Sequence, residues 1–166
     1  MLECSRPVSV TVWRIATDTK LYEADDLSGA GAKHTGGRWN APSDALVYTS
    51  ETQALGCLET VVHLNAGGLP LNRYLVAVTI PAAVWAKART ENPGSLPVGW
   101  DADPSGRASI RFGTDWIRSM ACAVLRVPSV IVPDEYNVLI NPLHPDSGAI
   151  VAVKIRKWLY DPRFSR

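Results

Sequence analysis

The chain has 166 residues, 46% of them hydrophobic and 20% charged, which fits one globular domain over residues 1–166 and excludes a disordered or collagen-like chain. Folding at this length hides about 70% of the surface that the unfolded chain exposes, so neither disulfide nor metal is needed as a staple. Seventeen basic against sixteen acidic side chains leave a net charge of +1. That balance gives no overall field for nucleic acid or an anionic membrane, so any anion is bound locally.

Residues 8–15 alternate apolar and polar side chains over Val8, Val10 and Val12 and read as a strand ending near Trp13-Arg14-Ile15. Residues 21–40 hold four glycines and no sustained period, which predicts a long, ligand-facing loop with at most a short helical turn. Residues 45–49 form a second short strand. Ser50-Glu51-Thr52-Gln53 then matches a capping box and starts a helix. Leu55, Leu58, Val61 and Val62 mark its buried stripe, and it ends near Leu64-Asn65 with Gly67-Gly68 as the stop.

Residues 73–81 alternate as an interior strand, with Tyr74, Val76, Val78 and Ile80 on one face and Leu75, Ala77 and Thr79 on the other. Residues 90–106, rich in proline and glycine, are expected to form a loop or lid; the tryptophans read mostly as core, with an exposed interface anchor as the alternative for Trp100. A helix spans residues 107–120, weakened in its middle by Gly113. Extended runs follow at 122–127, 129–132, 136–141 and 149–158, interrupted by Pro128, Pro133 and Pro142. The expected class is α+β, a twisted and mostly antiparallel sheet with a few helices. With no βαβ alternation and no G-x-G-x-x-G, a dinucleotide-binding Rossmann domain is not expected.

Cys4, Cys57 and Cys122 are far apart and form no C-x-x-C pair, so they read as free thiols of a cytoplasmic protein. No run of 18 apolar residues and no export leader is visible, so no membrane association is expected. His63 and His144 lack the spacing of a metal pair and read as structural; no metal is expected.

Chemistry concentrates in Gly36-Gly37-Arg38-Trp39-Asn40, Val47-Tyr48-Thr49-Ser50 and the helix that carries Glu59. The glycines permit tight turns and close approach, and the arginine fork suits phosphate or carboxylate. The same fragment also reads as a plain turn with Trp39 in the core and Arg38 paired at the surface. Glu59 borders the apolar stripe of its helix, where it either faces a cleft or lies on a solvated flank.

Together with Val12-Trp13-Arg14, Leu27-Ser28-Gly29-Ala30-Gly31-Ala32, Leu58-Glu59-Thr60-Val61-Val62-His63-Leu64, Leu125-Arg126-Val127-Pro128-Ser129 and the run from Tyr136-Asn137 to Asn141-Pro142-Leu143-His144-Pro145-Asp146, these blocks resemble the RES domain along almost the whole chain. The family takes its name from an arginine, a glutamate and a serine, which correspond to Arg38, Glu59 and Ser129. The resemblance implies a toxin of a bacterial type II toxin-antitoxin pair, with a fold similar to ADP-ribosyltransferases, NAD as substrate and an Xre-like helix-turn-helix antitoxin as partner. It further implies assembly into multi-subunit complexes, self-association among them.

NAD cleavage proceeds through an oxocarbenium-like sugar and needs a grip on pyrophosphate. On that expectation Glu59 stabilises the sugar, and Arg38 clamps pyrophosphate or orders the site. Arg14 is a second cation, Tyr48 packs on nicotinamide or ribose, Ser129 positions Glu59 or a ligand group, and Asn137 and Asn141 stitch the site. The leading expectation is NAD depletion; protein ADP-ribosylation and a non-catalytic anion- or nucleotide-binding module are the alternatives.

Overall fold

A computed structural model describes residues 8–64 and 68–165. The expected helix stop at Asn65 and Gly67, and the Cys4 thiol, lie outside these residues. Seven strands run in chain order as β1 (Val10–Thr17), β2 (Val47–Ser50), β3 (Arg73–Ile80), β4 (Arg89–Thr90), β5 (Val124–Pro128), β6 (Tyr136–Ile140) and β7 (Val151–Trp158). The helices are α1 (Ala30–Thr35), α2 (Gln53–Val61), α3 (Ala82–Trp85) and α4 (Arg107–Ser119).

All seven strands form one sheet in the order β4-β5-β6-β2-β1-β3-β7. Neighbours are antiparallel except β4 and β5, which run parallel. The class is therefore α+β, as the short strands and absent βαβ alternation predict.

The side-chain period of two sorts this sheet into faces. Val12, Val76, Val78, Val124 and Val138 build one continuous cluster on one face. The other face divides in two. Leu125, Val127 and Leu139 pack with Trp39 and with Trp116 and Ile117 of α4, whereas Ile15 and Leu75 pack with Cys57 and Val61 of α2.

The division falls where β2 meets β1. These strands pair only at Trp13↔Ser50, while β1 and β3 stay in register from Val10↔Ile80 to Thr17↔Arg73. Beyond Trp13 the two central strands part, and among the described residues β1 has no strand on that side from Arg14 to Thr17.

Several sequence expectations need correction. β1 continues to Thr17 instead of releasing Arg14, because β3 pairs with it to the end. Ser50 does not cap α2; it is locked into β2, and Thr52 is the cap, its hydroxyl accepting from the Leu55 amide at 3.0 Å. The buried side of α2 is turned from the expected stripe: Leu55 and Gly56 are buried and Val62 is exposed. Gly56 faces the sheet there, lying over the Trp13 carbonyl and the Ser50 side chain at ordinary contact distance.

Residues 129–132 form a turn and not a strand, because the Ser129 hydroxyl gathers the amides of Ile131 and Val132. Trp100 is buried and stacks on Trp39 with ring centroids 6.1 Å apart. Its apolar area is covered in the core, so it anchors the 90–106 loop and is not exposed. Gly113 has a packing reason: a Cβ there would sit 1.9 Å from the Trp39 carbonyl oxygen.

Candidate active site

The second turn of α2 brings Glu59 over the β2–β6 edge of the split face. Its Oε1 accepts from the Ser129 hydroxyl at 2.8 Å and from the Asn137 amide at 2.5 Å. Ser129 is fully buried, and its Oγ accepts the Ile131 and Val132 amides at 3.0 and 3.1 Å. With both acceptor positions filled, its own proton points to Glu59.

Asn137 is fixed in the same way. Its Oδ1 accepts from the Ser50 hydroxyl at 2.7 Å, which turns the amide nitrogen to the carboxylate, and β2 and β6 place Ser50 and Asn137 directly opposite each other. Glu59 thus has one oxygen fixed by two donors, while Oε2 has no partner among the described residues. A carboxylate so held can accept a ligand hydroxyl or stabilise nearby positive charge.

Two residues back along β2, on the same face, stands Tyr48. Its hydroxyl donates to Asn40 Oδ1 at 2.8 Å and accepts the Trp39 amide at 2.9 Å. Asn40 is fully buried, and its amide donates to the carbonyls of Ala32, Ala41 and Asp44. Gly37 closes the turn by pairing with Asn40, and a Cβ on it would lie 2.6 Å from the Tyr48 oxygen.

Burial pushes the Tyr48 phenol well above its ordinary value, against the pull of the Trp39 amide and the Arg38 charge. It therefore stays protonated and is no general base. Its ring is what it offers a ligand.

That ring lines a cavity of about 190 Å³ where β1 and β2 part, shared with Arg14, Thr17, Tyr22, Asp26 and Arg73. Arg14 donates to the Asp26 carbonyl at 3.1 Å. Burial lowers its pKa, with Asp26, Tyr22 and Asp25 acting in the opposite direction.

Arg38 stands apart from Glu59 and Ser129. Its Nη1 donates to the carbonyls of Trp100 and Ala102 at 3.1 and 2.8 Å, tying the Gly-Gly-Arg turn to the 90–106 loop. Asn141, at the far end of β6 from Asn137, is also outside the cluster. It is fully buried and donates to the Ile117 carbonyl at 3.0 Å, closing the end of α4. His144 accepts the Asp146 amide at 3.1 Å. Among the described residues no group of three or more His, Cys, Asp or Glu could hold a metal.

Residues 11–162 match the RES domain. This chain belongs to the RES family. It is 63% identical over 159 residues to the Prs ADP-ribosylating toxin of Sphingobium sp. (strain YBL2), covering 96% of this chain and 99% of that protein. It is 32% identical over 145 residues to the Toxin Res of Yersinia enterocolitica, covering 87% and 93%. A Toxin Res of Pseudomonas putida is 30% identical over 138 residues, covering 82% of this chain and 87% of the relative.

Of the three residues that name the RES family, Glu59 and Ser129 touch directly, and Arg38 lies on the turn that also holds Tyr48. Sequence reasoning gave no place in the site to Ser50, Asn40 or Arg73. Ser50 was assigned to the wrong device because its partner Asn137 is 87 positions away. Asn40 carried a signal, since it sits in the quoted turn and turn asparagines bond to nearby backbone. Arg73 stood at the head of an ordinary strand and carried none.

Proposed function

We propose that this RES-family chain is the toxin of a toxin-antitoxin pair, using NAD as substrate and transferring its ADP-ribose to a protein. The observation that carries the chemistry is the Glu59 carboxylate, oriented by Ser129 and Asn137 with its second oxygen left without a partner among the described residues. The choice of a protein acceptor rests on the Sphingobium relative, named as ADP-ribosylating Prs and 63% identical over nearly the full length of both chains. Prs is accordingly the first acceptor to test.

The bond between nicotinamide and ribose breaks with its electron pair leaving on nicotinamide, and positive charge develops on the sugar. Glu59 Oε2 accepts a ribose hydroxyl and stabilises that charge, while Ser129 and Asn137 keep the carboxylate in place. The acceptor's nucleophile then bonds to the sugar carbon and loses its proton. Tyr48 supplies a ring for nicotinamide or ribose. Arg14 faces the diphosphate, and Arg38 orders the site by holding the 90–106 loop. Asn141 acts as scaffold.

Action on NAD sets this function in the cytoplasm. An Xre-like helix-turn-helix antitoxin neutralises it by covering the cleft, in a multi-subunit complex that can include a second copy of this chain. No metal takes part in these steps.

NAD labelled in its adenylate half, incubated with the purified chain and Prs, tests the reading. Label on Prs in proportion to released nicotinamide is expected. Free ADP-ribose equal to the nicotinamide, with Prs unlabelled, would replace protein transfer by NAD depletion. No release by a folded chain that binds NAD would leave the binding-module reading.

A further inference from the structure

Arg73 is the first residue of β3, pairs with Thr17 at the end of β1, and is among the residues that line the cavity. Its Nε is buried and has no hydrogen-bond partner among the described residues. A buried polar donor without a partner is destabilising, so one that persists calls for something that satisfies it. Arg14 stands on the opposite face of β1 and opens into the same cavity. Two arginines therefore line the gap between β1 and β2, with one acidic residue, Asp26, on the wall. Asp26 is engaged by the Ser28 hydroxyl and amide.

We infer that Arg14 and Arg73 form a diphosphate-binding pair, in which Arg73 supplies the second fork and its side chain shifts on binding so that the unpartnered Nε meets a phosphate oxygen. The inference rests on the proposed use of NAD and names the part of it that this cavity takes. At about 190 Å³ the space is smaller than pockets that enclose a whole ligand, which run from about 300 Å³. It suits a diphosphate, and it adjoins a larger cavity of about 800 Å³ through the shared wall of Tyr22, Ala30 and Gly31. The nicotinamide ribose then lies toward Tyr48 and Glu59, and the adenosine runs into the larger space. Two planar forks on either side of a diphosphate match its oxygens pairwise, which a lysine cannot do.

The test is steady-state release of nicotinamide by wild type, Arg73→Gln and Arg73→Lys, each checked for folding by thermal melting, with ADP, inorganic phosphate and nicotinamide as competitors. Arg73→Gln is expected to raise KM for NAD about tenfold and to weaken ADP inhibition by the same factor, leaving kcat and nicotinamide inhibition within about threefold. Arg73→Lys should fall between; if the glutamine variant does not fold, the lysine variant carries the comparison. Unchanged KM and ADP inhibition in a folded variant overturn the pair while leaving the NAD chemistry intact. Inorganic phosphate competing as strongly as ADP overturns it in favour of a free-phosphate site. If wild type releases no nicotinamide, the proposed function is what fails, and calorimetric ADP binding by wild type and Arg73→Gln decides the pair alone.

Discussion

At the residue scale the site is a set of side chains each held by another, and the consequences of removing one follow from what it leaves behind. Glu59→Gln keeps the size of the side chain and removes the charge that faces the developing sugar cation. Nicotinamide release is expected to fall on the order of a hundredfold with little change in melting temperature. Ser129→Ala removes one of two donors and leaves Asn137 in place, so about a tenfold loss of kcat is expected with a smaller change in KM. Equal activity of wild type and Glu59→Gln would remove the glutamate from the chemistry. Tyr48→Phe strands the buried Asn40 Oδ1 and the Trp39 amide, and urea unfolding should show a loss of about 1–3 kcal/mol.

At the element scale, two close approaches decide how the helices sit. Thr52→Ala removes the cap of α2 and should cost about 1 kcal/mol, whereas Ser50→Ala should not weaken the helix start. Gly113→Ala is expected to cost more than either. The added carbon meets the Trp39 carbonyl and α4 must lift from the core, so a loss at or beyond the usual 1–3 kcal/mol of overpacking is expected.

These elements also show what a sequence discloses. The alternation of β3 and the period of α4 were legible because burial on one side is written into adjacent residues. The Glu59-Ser129-Asn137-Ser50 cluster was legible in membership, through the family blocks, but not in its bonding. Strand register fixes that bonding, and register joins residues with no local relation. Trp100 was left open between core and exposed anchor for a related reason: a tryptophan in a glycine- and proline-rich loop is not placed until its distant partner, Trp39, is known.

At the scale of the whole molecule, partly exposed ion pairs tie the loop after β1 to the far edge of the sheet. Lys154 of β7 bridges Asp18 at 2.9 Å and Glu23 at 3.1 Å. The bond from Lys154, with a further one from the Ala24 amide, holds the Asp18 carboxyl below its ordinary value. Its folded pKa is thus lower than its unfolded one, so its contribution is present above the ordinary carboxylate range and is lost as pH falls through the lowered value. The melting temperature should drop over that acid range, and Asp18→Asn should flatten the drop while lowering the neutral-pH value slightly. An unchanged pH profile would show the bridge to be idle in solution, as many exposed pairs are.

The parting of β1 from β2 after Trp13↔Ser50 has a consequence for isotope exchange. Amides along a strand point alternately to its two neighbours. From Arg14 to Thr17 those turned to β3 lie in an intact ladder, while those turned to the gap face no strand at all. Deuterium should therefore enter this single buried strand in an alternating pattern of slow and fast positions. A ligand that fills the gap should slow the fast positions alone, reporting occupancy of the cleft without any turnover.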